Sequence, residues 1–368
     1  MGKPVLKATL ATIAAELGVS TASVSNALKR PERVSADLRS RVLATATRVG
    51  YTGPAAATRL LPSGRADAIA ILFTAELPAA LRDPAAVAFL EGLSESCEVR
   101  GTSLLLIPDV AAQPGARAAA VANAVVDGFV IYSLRDRDPL LAAVLRRGEP
   151  AVVVDAPRAV VGADWVGSDD RAAMRGLGEY LRGLGHRAVG VIAPQLNEMR
   201  HNGSAESSRW RRGGYALMRE RIEGLQEGLA GENMNTQGGR NAGAGGGELP
   251  IEECFDPTVA SGADALHALL DRRADLTAIC CLTDVLALGA ISAAGQRGLA
   301  LPADLTITGY DDVAGAATAG LTTVAQPHVD KGRAAGELLF TAASSVTDRR
   351  RTFQTHLQIR ASSGPPSG

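Results

Sequence analysis

The sequence has no long apolar run, few aromatic residues and only four cysteines in 368 residues. No apolar stretch approaches the roughly 20 residues that a membrane-spanning helix needs, so we expect no membrane partner. The N-terminus lacks the apolar stretch and small-residue cleavage site of a secretory signal, which predicts a cytoplasmic protein. Aromatic residues make up 4% of the chain, so the cores should consist mainly of aliphatic side chains.

The same scarcity argues against a metal centre or an active site. The cysteines form no CxxC pair, and Cys280 and Cys281 stand in an apolar run where cysteine acts as a small hydrophobic residue. The five histidines are scattered without a metal-ligand spacing. A glycine-rich insert at 234–247 lacks the Gly-Lys-Ser/Thr of a phosphate-binding loop, which predicts a surface loop. We therefore expect no metal, no cofactor and no enzymatic activity.

Charge is unevenly divided along the chain. Residues 1–65 hold ten Lys/Arg and three Asp/Glu, a net of +7, whereas the other 303 residues carry a net of −8. A basic segment on an acidic body is typical of a domain that meets a polyanion.

Within the basic segment, residues 9–50 show three short helical patterns. Ser20 is expected to cap the second helix and Ser35 the third, and Gly50 follows the third. Each apolar stripe is narrow, so the three helices must pack on one another. Helix, glycine-centred turn and helix is the helix-turn-helix arrangement, whose second helix enters the major groove.

From residue 67 onward, short β-type apolar runs alternate with amphipathic helices, including a long helical pattern around Arg209–Leu229. Apolar strands joined by helical crossovers indicate parallel sheets covered by helices on both faces. Two such series predict an α/β body of two lobes. The final segment TFQTHLQIRAS is expected to form one more strand.

The segment Thr9–Asn26, TLATIAAELGVSTASVSN, resembles the DNA-binding head of the LacI/GalR family of bacterial transcription regulators. The one visible departure is Thr12, where the family usually has an acid that belongs to the first helix. Further matching phrases are Val34-Ser35 to Val42, Gly50-Tyr51, DVLALGA from Asp284, GYDD from Gly309 and LTTVAQ from Leu321. The resemblance covers essentially the whole chain.

The resemblance implies a domain plan and a set of partners. The expected domains are a helix-turn-helix head (1–53), a hinge helix and linker (54–65), a body of the periplasmic-binding-protein type (66–361) and a tail (362–368). Lobe one is expected at about 66–166 plus 328–351, and lobe two at about 167–327 plus 352–361. The implied protein is a homodimer that binds pseudo-palindromic operator DNA and a small effector.

DNA-contacting residues carry over by position. The implied base-reading residues are Thr21, Ala22 and Asn26. The implied phosphate contacts are Ser20, Ser25, Lys29, Arg33 and Ser35. Asn pairs with adenine and a methyl group contacts the thymine methyl, so Asn26, where many relatives have Arg, predicts a shifted base preference. Leu60, in the hinge segment, is expected to wedge into the minor groove.

The implied effector residues lie in the body: Phe73, Asp155, Arg221, Thr283, Asp311 and Gln326. Several of them end apolar strands, where ligands of open α/β sheets bind. A sugar is the first choice of effector and a nucleobase the second. An α/β body of this kind is also compatible with an enzyme or with a secreted sugar-binding receptor. The absence of a catalytic motif disfavours the first, and the basic head disfavours the second. Whether the effector releases DNA or promotes its binding is open at this level.

Overall fold

The structure is a computed structural model that describes residues 9–29, 33–49, 51, 65–73, 76–107, 115–231, 249–341 and 349–367. It therefore leaves the hinge segment with Leu60 and the glycine-rich insert outside the described residues. Among the described helices, none combines the length and apolar character needed to span a membrane.

The head consists of α1 (Leu10–Leu17), α2 (Thr21–Lys29) and α3 (Ala36–Arg48). Its small core is formed by Ile13, Ala14, Val24, Ala27, Val42 and Ala46. Thr9 and Thr12 cap α1 reciprocally, since each backbone N–H donates to the other's hydroxyl at 3.2 Å. Threonine at position 12, where the family usually has an acid, thus helps to cap the first helix. Ser20 caps α2, as expected, by accepting from the Ser23 N–H at 3.0 Å.

Lobe one is built on a six-stranded sheet with the order β12-β5-β4-β3-β1-β2, and all five pairs of neighbouring strands are parallel. Its first elements are β1 (Ala68–Phe73), α4 (Leu77–Ala80), α5 (Pro84–Arg100), β2 (Ser103–Ile107), α6 (Ala116–Asn123), β3 (Phe129–Tyr132), α7 (Pro139–Arg147), β4 (Ala151–Val154) and β5 (Asp164–Ser168). It is completed after lobe two by α14 (His328–Phe340) and β12 (Arg350–Phe353).

Lobe two is built on a seven-stranded sheet with the order β13-β11-β10-β9-β6-β8-β7. Only its two edge strands, β7 and β13, are antiparallel to their neighbours. Its elements are α8 (Asp170–Leu184), β6 (Val189–Pro194), β7 (Asn202–Ser204), α9 (Ser207–Arg211), α10 (Ala216–Ala230), β8 (Ile251–Cys254), α11 (Val259–Arg272), β9 (Ala278–Cys281), α12 (Asp284–Gln296), β10 (Thr306–Asp311), α13 (Ala314–Thr318), β11 (Thr322–Ala325) and β13 (His356–Gln358).

The chain passes between the lobes three times, after β5, between β11 and α14, and between β12 and β13. The first and third passages lie about two residues later than the expected boundaries at 166 and 351, because β5 and β12 each extend to the end of a parallel pairing. The segment expected to be a separate tail, 362–368, begins inside the body. Ser362 is buried there, and its hydroxyl donates to the Ile307 carbonyl at 2.6 Å.

Two sequence-based elements were wrong. The long helix around Arg209–Leu229 is interrupted between α9 and α10, where a Cβ on Gly213 would lie 2.0 Å from the Leu196 carbonyl oxygen. The backbone at Gly213 therefore packs directly on a neighbouring segment instead of continuing a helix. The single final strand is two short strands, β12 and β13, which pair with different sheets.

Helices cover both faces of each sheet. In lobe one, α5 and α14 lie on one face, and their close approach depends on Gly92, whose Cβ would lie 1.8 Å from the Val329 carbonyl oxygen. In lobe two, α8 and α10 approach equally closely at Gly228, where a Cβ would lie 2.1 Å from the Arg175 carbonyl oxygen. Glycines at these positions thus allow neighbouring helices to pack closely. The two helices that later contribute site residues, α10 and α14, are packed in this way.

Candidate functional site

The first candidate surface is the outer side of α2. Val24 and Ala27 are buried in the core of the head, so the opposite side of the helix faces outward. Thr21 and Ala22 are exposed there and Asn26 is half-buried. The side chains are small enough for α2 to approach a groove closely, and they offer a hydroxyl, a methyl and an amide to base edges.

Residues suited to phosphate contacts flank this side. The Ser35 hydroxyl oxygen accepts from the Leu38 N–H at 3.3 Å, as the expected cap of α3. A capping serine uses a lone pair, so its hydroxyl hydrogen can still be donated to a phosphate oxygen. Arg33 is exposed and Ser25 is half-buried. Lys29 ends α2, and its side chain, like Leu60, lies outside what the structure describes.

Replacing Asn26 with Ala is expected to lower affinity for a selected operator by about 1–3 kcal/mol, because a bidentate contact to one base is lost. Affinity for a scrambled duplex should change little, since that binding depends on phosphates. Fluorescence anisotropy at one fixed salt concentration measures both affinities, and Ser40→Ala, an exposed polar change on α3, is the control. Equal losses on the two DNAs would remove the base-reading role of Asn26.

The second candidate site lies between the lobes, where strand ends present carboxylates. Asp155 follows β4 and Asp311 ends β10, and both are buried. Both also have positive φ, 61° for Asp155 and 116° for Asp311. Residues other than glycine rarely adopt such conformations, and those that do are concentrated at functional sites. The two aspartates that the sequence predicts at strand ends therefore also have strained backbones.

A buried chain of polar contacts connects the two aspartates. The Lys331 ammonium, on α14, donates to Asp155 Oδ1 at 2.6 Å and to Gln326 Oε1 at 2.7 Å. The Gln326 amide then donates to Asp311 Oδ1 at 3.0 Å. Because Asp155 belongs to lobe one and Asp311 to lobe two, these contacts join the lobes through the crossing segment.

Arg221, on α10, continues the polar chain inside lobe two. Its guanidinium donates to Asp170 Oδ1 at 2.9 Å and to the Leu282 carbonyl at 2.6 Å, and it stacks 3.7 Å from the centre of the Tyr310 ring. Burial works against its charge, but Asp170, Tyr310 and Asp311 outweigh that effect and hold the pKa of Arg221 above its usual value.

The pKa of Asp311 reflects a similar balance. Burial raises the pKa of its carboxyl group, but His328 and Arg221 outweigh that effect and bring the pKa below its ordinary value. Asp83, at the start of α5, has its pKa raised to about 6 by burial and by the charge of Asp311. The charge of Asp311 thus affects the ionisation of Asp83, so the two carboxyl groups are electrostatically coupled.

Several buried polar atoms around these residues have no hydrogen-bond partner among the described residues. They include Ser168 Oγ at the end of β5, Thr283 Oγ1 before α12, Asp170 Oδ2 and both ring nitrogens of His328, of which Nε2 lies 3.6 Å from Asp311 Oδ1. Unsatisfied buried polar groups are costly, which indicates a site that completes its hydrogen bonds with a ligand. Asp284 differs, because its carboxylate accepts from the Val313 N–H at 2.9 Å and from the Thr323 hydroxyl at 2.6 Å, as a structural residue does.

Of the sequence-predicted effector residues, the structure thus connects Asp155, Gln326, Asp311 and Arg221, and Thr283 adjoins the carbonyl that Arg221 contacts. Phe73 differs: it is 1% exposed and lies in the core of lobe one, with its ring 5.5 Å from that of Tyr132. Tyr132 ends β3, and its ring also packs 4.8 Å from that of Phe89. Burial raises the pKa of its hydroxyl, and Asp83 and Asp155 raise it further.

Sequence reasoning missed Lys331, Asp170, Tyr132 and His328. The rule that ligands bind at strand ends could have found Asp170 and Tyr132, which follow or end β5 and β3. Lys331 gave no such signal, because it lies within a helix. In the described part of the chain, no group of three or more His, Cys, Asp or Glu residues is placed to hold a metal ion.

Two models of known protein families match the chain. Residues 9–53 match the bacterial regulatory proteins of the lacI family, and residues 179–363 match a periplasmic binding protein-like domain. An HTH-type transcriptional regulator of Mycobacterium tuberculosis is 41% identical over 365 residues, covering 99% of both chains. The HTH-type transcriptional regulator IpsA of Corynebacterium glutamicum is 37% identical and covers 92% of both chains. The HTH-type transcriptional repressor PurR of Proteus mirabilis is 28% identical, covering 96% of this chain and 95% of its own.

Solved structures agree with the sequence comparisons. A LacI family regulator from Corynebacterium glutamicum superposes with a TM-score of 0.69 at 32% identity, covering 99% of each chain. The complex of the regulator CelR with cellobiose shares the fold, with a TM-score of 0.63 at 24% identity over 97% of this chain and 100% of its own. The relatives are transcriptional regulators and not enzymes. With its helix-turn-helix head and two-lobed ligand-binding body, the chain belongs to the LacI family of DNA-binding transcriptional regulators.

Proposed function

We propose that this regulator is a cytoplasmic repressor that binds a pseudo-palindromic operator as a homodimer. An uncharged polyhydroxylated effector, a sugar in the first instance, binds between the lobes and sets operator affinity. Two copies of α2 are needed to read two half-sites, which is why the proposal includes a dimer. The hinge residue Leu60 is part of the same proposal as a minor-groove wedge.

The effector proposal rests on a cluster of buried polar side chains between the lobes, which we call the buried polar group. It consists of Asp155, Asp170, Arg221, Asp311, Gln326 and Lys331. Its cations already have partners, since Lys331 contacts Asp155 and Arg221 contacts Asp170. The lysine and the arginine of this group are thus already paired with described carboxylates, and Asp311 adds a further carboxylate, which disfavours a buried phosphate. A ligand with several hydroxyls can instead donate to the carboxylates and accept from Thr283. The chemistry therefore favours an uncharged polyol.

The related proteins support the two finer parts of the proposal. PurR is named a repressor, and CelR holds cellobiose in its complex.

The contacts between the lobes suggest how binding reaches the DNA. Besides the Gln326–Asp311 contact, Arg158 of lobe one pairs with Glu220 of lobe two at 2.9 Å. An effector that strengthens or replaces such contacts changes the relative stability of two lobe arrangements. If only one lobe arrangement allows the hinge and the two heads to bind an operator, the effector changes operator affinity. The change equals the difference in the effector's binding free energy between the two arrangements.

The proposal is tested by a thermal-shift screen of sugars, cyclic polyols, sugar phosphates and nucleobases on the full chain. We expect an uncharged polyol to raise the melting temperature saturably, because a ligand that binds only the folded state stabilises it. The same compound should then change operator affinity in fluorescence anisotropy. A response to nucleobases alone would overturn the polyol assignment, and a compound that shifts melting but leaves operator binding unchanged would overturn the coupling.

A further inference from the structure

A second feature between the lobes lies outside the buried polar group. Nine residues line a groove of about 480 Å³, which we call the rim groove: Asp136, Arg137, Asn197, Glu198, Arg211, Arg212, Gly213, Gly214 and Arg219. The first two belong to lobe one, in the loop after β3, and the others belong to lobe two. The groove is therefore complete only when the lobes are in contact.

Two contacts hold the walls of the rim groove together. The Asp136 N–H donates to the Gly214 carbonyl at 2.7 Å. The Arg219 guanidinium donates to Asp136 Oδ2 at 3.0 Å and to the Gly213 carbonyl at 3.1 Å. These contacts fix the loop of lobe one against the turn between α9 and α10.

The lining carries four arginines against two acids. Asp136 is paired with Arg219, and Glu198 lies 3.7 Å from Arg135, which is outside the lining. Arg137 and Arg212, one on each lobe, have no ion pair with any described residue. The rim groove therefore keeps an uncompensated positive charge that is divided between the lobes.

The backbone at Arg137 adds a second observation. Its φ is 60°, in the left-handed region that residues other than glycine rarely adopt. The neighbouring contact of Asp136 with Gly214 holds this conformation. Such strain persists where the surrounding structure imposes it, and it is concentrated at ligand-binding positions.

We propose that the rim groove binds a small polyanion of the pyrophosphate type that bridges Arg137 and Arg212. Guanidinium groups bind phosphate oxygens through paired, charge-assisted hydrogen bonds, and Arg fits this geometry better than Lys. The site differs from the buried polar group, whose cations are already neutralised. An anion held by both lobes stabilises their contact, so it acts as a second ligand of lobe closure. An effect of this anion on operator binding rests on the proposed function, whereas its binding to the rim groove does not.

The test titrates pyrophosphate into the full chain by calorimetry at constant ionic strength. We expect saturable binding to the wild-type chain and a loss of at least about tenfold in affinity for Arg137→Gln/Arg212→Gln, since two charge-assisted contacts are removed. The control is Arg146→Gln/Arg175→Gln, which removes one exposed arginine without a described ion pair from each lobe. The control should bind pyrophosphate as the wild type does.

The head is unchanged in both double variants, so pyrophosphate bound only by the head would give equal affinities in all three proteins and overturn the proposal. Equal losses in the two double variants would also overturn it, because the effect would then follow net charge. Arg221→Lys separates this proposal from the effector proposal: pyrophosphate binding should persist when the polyol response is lost. A wild-type chain that binds no pyrophosphate overturns the rim groove proposal alone.

Discussion

Replacing Lys331 with Met is expected to lower the free energy of unfolding of the body by about 3–5 kcal/mol. The Lys331 side chain is fully buried, and its ammonium lies 2.6 Å from Asp155 Oδ1. Methionine fills a similar volume but leaves a buried carboxylate without its cation. Urea denaturation followed by circular dichroism measures the loss.

The matched control is a double variant in which both partners of the ion pair are replaced by uncharged residues. Lys331→Met with Asp155→Asn removes both charges, so it should be clearly more stable than the sum of the two single changes predicts. If the two single losses simply add, Lys331 does not stabilise Asp155. If Lys331→Met alone is as stable as the wild type, the buried ion pair has no energetic importance.

Replacing Arg221 with Lys is expected to reduce affinity for the polyol effector at least about tenfold, while binding of operator without effector is retained. Lysine keeps the positive charge near Asp170 but cannot reach both the Asp170 carboxylate and the Leu282 carbonyl as the guanidinium does. The conservative change avoids an unpaired buried carboxylate, so the fold should survive. Calorimetry with the polyol found in the screen measures the affinity, and anisotropy measures operator binding.

Arg171→Lys is the control for this change. Arg171 is an exposed arginine that also pairs with a carboxylate, since it lies 2.8 Å from Glu223. Its replacement should leave the polyol affinity unchanged. Undiminished polyol binding by Arg221→Lys would exclude the guanidinium from the effector site.

The head shows how far a local pattern can reach. Caps at Ser20 and Ser35, together with narrow apolar stripes, were enough to place three helices, because capping and periodicity depend on residues within a few positions of each other. The same logic failed for the long helix around Arg209–Leu229. Its end at Gly213 is imposed by contact with Leu196, which is distant from any local signal in the helix itself.

The site divides in the same way. Asp155 and Asp311 could be predicted because a parallel strand brings its last residue to a known edge of the sheet. Lys331 could not, since the direction of a helical side chain depends on how α14 packs against α5 and the strands of lobe one. Phe73 also ends a strand, but local order does not predict that its ring packs in the core of lobe one, 5.5 Å from the ring of Tyr132.

By itself, the sequence determined the basic head, the alternating strands and helices of the body, and the strand-end carboxylates, because charge, periodicity and chain direction are local properties. Only the tertiary structure decided which charges neutralise one another. Asp155 and Lys331 are 176 positions apart, and Arg158 pairs with Glu220 across the two lobes. Pairings of this kind exist only after the lobes have folded and met, so no local pattern contains them.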